Sequence, residues 1–183
     1  MYSHSIGTAF SGNTLITTFD ELNYFTNATT LPSTCFMNCA NLHSVGLENI
    51  VTCAQQIFRN SGIVYAWMPK VKTGGSTQSQ GYTAWFYDTK SLIALRFDSM
   101  TIHEKLIYNS SCKYAIYTMS SVPTINENVS YIPPKIYVPD SLVSEYQATA
   151  TISSRTILPI SQLPTDHPDC PWLDDLRAKG FIS

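Results

Sequence analysis

Phe36–Leu47 reads FMNCANLHSVGL and Phe86–Phe97 reads FYDTKSLIALRF, and the two stretches carry small or apolar residues at the same offsets. Counted from the leading Phe, Cys39, Leu42, Val45 and Leu47 fall at +3, +6, +9 and +11. Thr89, Leu92, Leu95 and Phe97 take those positions in the second stretch. Two further stretches follow in part. From Phe10, Asn13, Ile16 and Phe19 keep the first three offsets, with Glu21 at +11; from Phe58, Ser61, Val64 and Trp67 keep them, with Pro69 at +11. The leading aromatics are 26, 22 and 28 residues apart.

A Phe followed by a small polar residue lets the chain turn tightly. The apolar residues then alternate, as they do in a strand with one buried face. One such unit cannot cover its own apolar side, whereas a stack of them builds a continuous core. Intervals of this length are those of leucine-rich repeats. The pattern predicts a repeat solenoid, α+β with mainly β character: a short, irregular leucine-rich-repeat array of parallel strands with a C-terminal strand–helix cap.

LITTFDELNYFTNATTLPSTCFMNCANLHSVGLENI (Leu15–Ile50) resembles the BspA-like leucine-rich repeats, whose units carry an aromatic, an Asn/Gly-Cys corner and a Leu-x-x-Val/Ile-x-Leu strand. KIYVPDSLVSEYQ (Lys135–Gln147) resembles the segment that commonly ends such arrays, and ILPISQL (Ile157–Leu163) is similar to the closing strand after it. Three features depart from the pattern. KVKTGGSTQSQG (Lys70–Gly81) reads as an exposed insertion; the unit over Leu106–Tyr117 places Cys112, Ala115 and Tyr117 correctly only if Leu106 replaces the aromatic; and Pro164–Ser183 runs past the usual end. The resemblance implies binding and no catalytic machinery, since such proteins occur on bacterial surfaces and in phages of gut bacteria, often as adhesive modules.

The expected organisation is a solenoid over residues 1–163, capped by 135–163, and an extension over 164–183 with a short helix at 171–179. Asp140 stands where a helix N-cap is expected, and Leu142 and Tyr146 share a face. In the extension, Pro171 suits a first helical position, Asp174 and Asp175 the early helix, and Gly180 a C-cap. Trp172, Leu173 and Leu176 form its apolar side. A two-turn helix is marginal alone, so these three residues are expected to dock, either on the solenoid or on a partner.

Composition excludes several functions. Eleven Lys and Arg against thirteen Asp and Glu leave a net charge of −2, a poor match to phosphate neutralisation, so nucleic acid is not an expected partner. No apolar run approaches the roughly 20 residues that cross a bilayer, so membrane insertion is not expected. MYSHSIGTAFSGN carries neither a basic nor an apolar leader region, which favours a virion location over export. Cys35, Cys39, Cys53, Cys112 and Cys170 form no obvious disulfide framework and read as buried thiols. Cys35, Cys39 and His43 at spacings of four would share a helix face and could hold zinc, but Pro32 and the residues nearby oppose a long helix.

No phosphate loop, nucleophile elbow or zinc helix is present. His103-Glu104 reads as an exposed turn, and Asp166, Asp169, Asp174 and Asp175 as helix-terminal charge. Neither catalytic residues, metal ligands nor a cofactor are expected. What remains is surface. Tyr65, Trp67, Tyr82, Trp85 and Tyr87, interleaved with hydroxyl residues, form the expected binding surface, because Tyr and Trp add contact area at low entropy cost. The expected role is a non-enzymatic binding module that attaches to a bacterial surface protein or glycan. The alternative is a capsid- or tail-decorating subunit that contacts other virion proteins or further copies of itself.

Overall fold

Parallel pairing dominates the chain. The computed structural model describes residues 7–77, 80–126, 128–164 and 170–183. Its largest sheet has five strands, Tyr65–Met68, Ala94–Phe97, Tyr114–Tyr117, Lys135–Val138 and Thr156–Pro159, each parallel to the next in chain order. Shorter parallel ladders accompany it. Thr73–Gly74, Ile102–His103 and Thr124–Ile125 form a three-stranded sheet. Phe86–Tyr87 pairs with Ile107–Tyr108, Thr18–Phe19 with Ser44–Val45, and Thr30–Leu31 with Thr52–Cys53. Two helices of six residues, α1 (Val143–Ala148) and α2 (Leu173–Ala178), complete a mainly-β fold.

Strand register decides which side chains enter the core. Leu95 and Phe97 lie opposite Ala66 and Met68 on one side and Ala115 and Tyr117 on the other, and all six are buried. Every apolar offset counted from Phe36 and from Phe86 is therefore an inner position. The count from Phe58 needs correction. Ile63, Ala66 and Met68 are the inner residues there, while Val64 and Trp67 turn outward and are half-buried. Between Ser61 and Ile63 stands Gly62 alone, where Lys90 and Ser91 stand in the Phe86 stretch. A Cβ at Gly62 would collide with the Ala40 carbonyl, so the shorter path is open to glycine. Removing one residue before a strand reverses every side chain in it. The same correction applies to the Leu106 unit: Ile107, not Leu106, pairs with Phe86, and Cys112, Ala115 and Tyr117 follow from it at the shorter spacing.

The rings of Phe10, Phe36, Phe58 and Phe86 stack in a column, with successive centroids 5.4, 5.4 and 5.3 Å apart. Two residues past each leading position from Phe36 onward, Asn38, Asn60, Asp88 and Asn109 have φ between 51° and 60°. Asn and Asp tolerate that left-handed turn better than other side chains. The turn lets the amides of Asn38, Asn60 and Asp88 donate to the carbonyls of Arg59, Tyr87 and Tyr108, each at 2.9 Å.

Three other expectations change. The Lys70–Gly81 stretch is not simply an exposed loop, because Val71 is buried and Thr73–Gly74 pairs with Ile102–His103. Gly75, at φ +104°, then lies so close to the Glu104 and Lys105 backbone that no side chain fits. Gln78 and Ser79 of that stretch lie outside the described residues. The Asp140 carboxylate does not cap α1; it accepts hydrogen bonds from Ser161 N and Oγ at 3.2 and 2.5 Å, tying the start of the cap to its last segment. The C-terminal helix spans Leu173–Ala178 instead of 171–179, and Gly180 at φ +73° ends it.

The five-stranded sheet has two covered faces. Its inner face joins the Phe column in one apolar cluster, closed near the C-terminal end by Tyr146 of α1 and Ile152. Its outer face carries Ala94, Tyr114, Ile116 and Tyr137, and against these lie Cys170, Trp172, Leu176 and Ile182.

Candidate binding groove

The outer face is not covered along its whole length. Where the Ser44–Val45 strand approaches Tyr65–Met68, an open cleft of about 330 Å³ runs between two unlike walls. One wall is aromatic. Tyr65 and Trp67 point outward because Ala66 and Met68 point in. The ring of Trp172 meets that of Tyr65 edge-on, at 6.1 Å between centroids. Trp67 is held by its Nε1, which donates to Asp98 at 3.1 Å, and by the Arg96 guanidinium 4.7 Å above its ring.

The other wall is polar and comes from the Asp20–Tyr24 turn and from Ser44–Glu48. Parallel pairing of Thr18–Phe19 with Ser44–Val45 sets these two segments side by side. Ser44 Oγ donates to Asp20 Oδ2 at 3.0 Å. Asn23 Nδ2 donates to Glu48 Oε1 at 3.1 Å while Asn23 Oδ1 accepts from Glu48 N at 3.0 Å. Both carboxylates are thereby oriented, and the cleft lining contains no basic side chain. Fixed carboxylate and amide oxygens opposite aromatic rings suit a ligand with hydroxyl donors on one side and C–H surface on the other. A saccharide has both.

The residues singled out from the sequence separate into three groups. Tyr65 and Trp67 line the groove together with Trp172. Tyr82 and Tyr87 lie elsewhere: Tyr82 is half-exposed, and Tyr87 stacks on Tyr108 at 5.7 Å, which in turn meets Tyr131 at 5.6 Å. Those rings pack on one another, with Tyr108 still 41% exposed. Trp85 is wholly buried in the inner core, which removes it as a contact residue. Trp172 and Leu176 are buried and Leu173 half-buried against the chain's own sheet.

The polar wall went unnoticed in the sequence, although Asn23 and Asn49 stand at the same offset, +13, from Phe10 and Phe36. Asn49 Nδ2 donates to the Asn23 carbonyl at 2.7 Å, so that shared offset marks a contact between layers.

His103 is fully buried, not an exposed turn; its Nε2 lies 2.8 Å from Tyr117 Oη. Burial pushes its pKa down to about 4, against the opposing pull of backbone hydrogen bonds. Burial, with Cys39 nearby, pushes the Cys35 thiol up to about 12, and burial takes Cys112 to about 12 as well, which keeps both as poorly nucleophilic thiols. Cys39 Sγ donates to the Phe10 carbonyl at 2.8 Å, and His43 is exposed, so the three do not converge on a metal site. Among the described residues no group of three His, Cys, Asp or Glu side chains is placed to hold a metal. Asp166, Asp169 and His167 lie outside the described residues, as does His4. Among the described residues no helix is long and apolar enough to cross a membrane. No protein-family model, curated protein or solved structure matches the chain.

Proposed function

We propose that the chain is a leucine-rich-repeat solenoid of the BspA-like kind, acting as a non-enzymatic, virion-associated or surface-exposed module that attaches to a bacterial surface glycan or protein. The groove carries this reading: an aromatic wall of Tyr65, Trp67 and Trp172 faces hydrogen-bonded Asp20, Asn23 and Glu48. In-register parallel ladders and the stacked Phe column support the solenoid. The groove's polar wall holds two acids while Arg96 and Lys179 lie over the Trp67 ring of the other wall, and a neutral cell-wall saccharide fits the hydroxyl-accepting wall.

The test uses the fluorescently labelled chain on intact bacteria and on isolated cell-wall polysaccharide. Tyr65→Ala combined with Glu48→Gln is expected to weaken binding by roughly tenfold or more, equivalent to about 1.4 kcal/mol, with the circular dichroism spectrum retained. Attachment that is indifferent to these substitutions sinks the groove as the binding site. Deleting Lys70–Gly81 is a poor alternative test, because that stretch supplies the Thr73–Gly74 strand.

One observation favours the second reading, a structural decoration subunit. Tyr24 and Phe25 are adjacent and 84% and 58% exposed, and Leu15 is 88% exposed. Clustered exposed apolar groups mark protein contact surfaces. Loss of particle incorporation in Tyr24→Ser, Phe25→Ser, with cell binding unchanged, would favour that role.

A further inference from the structure

Both strand ladders are interrupted at the same boundary. On one side Ser44–Val45 ends a sheet and Tyr65–Met68 begins the next; on another, Thr52–Cys53 ends a sheet and Thr73–Gly74 begins the next. The two layers are nevertheless joined at their corners. Phe36 stacks on Phe58 at 5.4 Å, and the amides of Thr34, Phe36 and Asn38 donate to the carbonyls of Gln55, Ile57 and Arg59 at 2.9 to 3.1 Å. The layers therefore touch at the Phe column and part at their strands.

The parting beside Thr52–Cys53 is an open cleft of about 430 Å³, bounded by residues of both strands. Parallel pairing fixes which backbone groups face it. Thr52 N and Ala54 N donate to the carbonyls of Thr29 and Leu31 at 3.2 and 2.9 Å, so the N–H and C=O of Cys53 between them point the other way, into the cleft. From the facing wall, Lys72 O and Gly74 O accept from Ile102 N and Glu104 N at 3.1 and 2.6 Å, which turns the N–H and C=O of Thr73 toward the cleft. Each wall thus presents a backbone donor and a backbone acceptor, and among the described residues no strand pairs with either edge. Ser33, Thr52, Gln55 and Ser76 add neutral hydrogen-bonding groups, and the exposed Lys72 supplies the only charge among the described lining residues.

We propose that this cleft is a docking site for an extended, acidic peptide segment of a protein partner, which enters as an added strand between Cys53 and Thr73. Successive residues of an extended chain turn their N–H and C=O groups to alternate sides, so one inserted strand meets both walls at once. The charge of the occupant follows from the lining: a lone Lys72 with no carboxylate beside it is complemented by Asp or Glu. The cleft shares no lining residue with the aromatic groove, so either site can fail without the other.

The probe is a library of random heptapeptides selected on the full chain, with enriched sequences resynthesised bearing fluorescein and titrated by anisotropy. Enriched peptides are expected to carry Asp or Glu, and Lys72→Glu in the chain is expected to weaken their binding by roughly tenfold or more. Methylating alternate backbone nitrogens of the peptide is expected to abolish binding, a control that leaves the protein undisturbed. Hydrogen exchange of the complex is expected to slow at the Cys53 and Thr73 amides while the Ser44–Glu48 amides of the groove keep their rates. A selection that enriches no peptide, or peptides indifferent to either change, overturns the proposal, as does protection confined to other amides. A chain that self-associates with the Cys53 and Thr73 amides already protected gives the cleft to a second copy and overturns it as well.

Discussion

The two faces of the five-stranded sheet are covered in unlike ways. Inside, Leu95 and Phe97 meet Ala66, Met68, Ala115 and Tyr117 in strand register, and the Phe column runs with ring planes only 5° and 8° apart at its centre. Outside, Ala94 and Arg96 meet a segment of unrelated sequence that brings its own Trp, Leu and Asp. Alternation along one strand thus serves a layered apolar core on one side and a specific, partly ionic contact on the other. Layering spreads stability over many similar contacts, whereas the outer contact concentrates it in a few groups.

That contrast is open to direct attack. Phe58 has a stacked ring on both sides, so Phe58→Ala opens a cavity with little means of collapse and is expected to destabilise the chain by about 3–5 kcal/mol. Denaturant unfolding measures it; a loss under ~1 kcal/mol would mean that the column is not a rigid core.

Acid separates the two faces by pH window. His103 titrates at about 4 in the folded chain against 6.5 for the free side chain, so the unfolded state binds the additional proton first. Stability is complete above pH 6.5 and falls as pH drops towards 4, by a total on the order of 3 kcal/mol. At Asp175, burial raises the pKa, but hydrogen bonds from Arg96 and Lys179 prevail and hold the carboxyl below its usual 3.8. Its contribution is present above that value and is lost at more acid pH. His103→Phe is expected to flatten the first window and leave the second; an unchanged profile in this variant assigns the acid response to other groups.

The smallest effect tests the corners. Asn60 sits at φ 52° and its Nδ2 donates to Asn38 Oδ1 at 3.0 Å. Asn60→Ala is expected to destabilise by about 1–2 kcal/mol, and Asn60→Gly by less, because glycine accepts the turn. If Ala and Gly prove equal, the side-chain bridge rather than the backbone conformation holds the corner.

The offsets from Phe36 and Phe86 were legible because identical spacings preserve strand parity, and parity alone decides which side chains turn inward. In the Phe58 unit the inner residues fall one position earlier than counted, since the shortening at Gly62 changes no residue type that periodicity counts. In the Leu106 unit Cys112, Ala115 and Tyr117 are inner as counted and only the leading residue shifts, to Ile107. Trp67, expected both at an inner offset from Phe58 and on the binding surface, lines the cleft with Tyr65 and does not take the inner position. Asp20, Asn23 and Glu48 carry no motif of their own and acquire a common purpose only when their layers are set side by side.

Sequence alone determined the apolar spacing from Phe36 and Phe86, the tight turn after each leading Phe and the amphipathic character of Trp172–Leu176, because each depends on local stereochemistry or on residue periodicity. Only the tertiary structure decided where that last segment lands, that Trp85 is sealed in the core, and that Arg96 is buried beneath Asp175. Contacts across some eighty residues of chain, such as Lys179 with Asp98, follow from the shapes of completed surfaces, which no local pattern encodes.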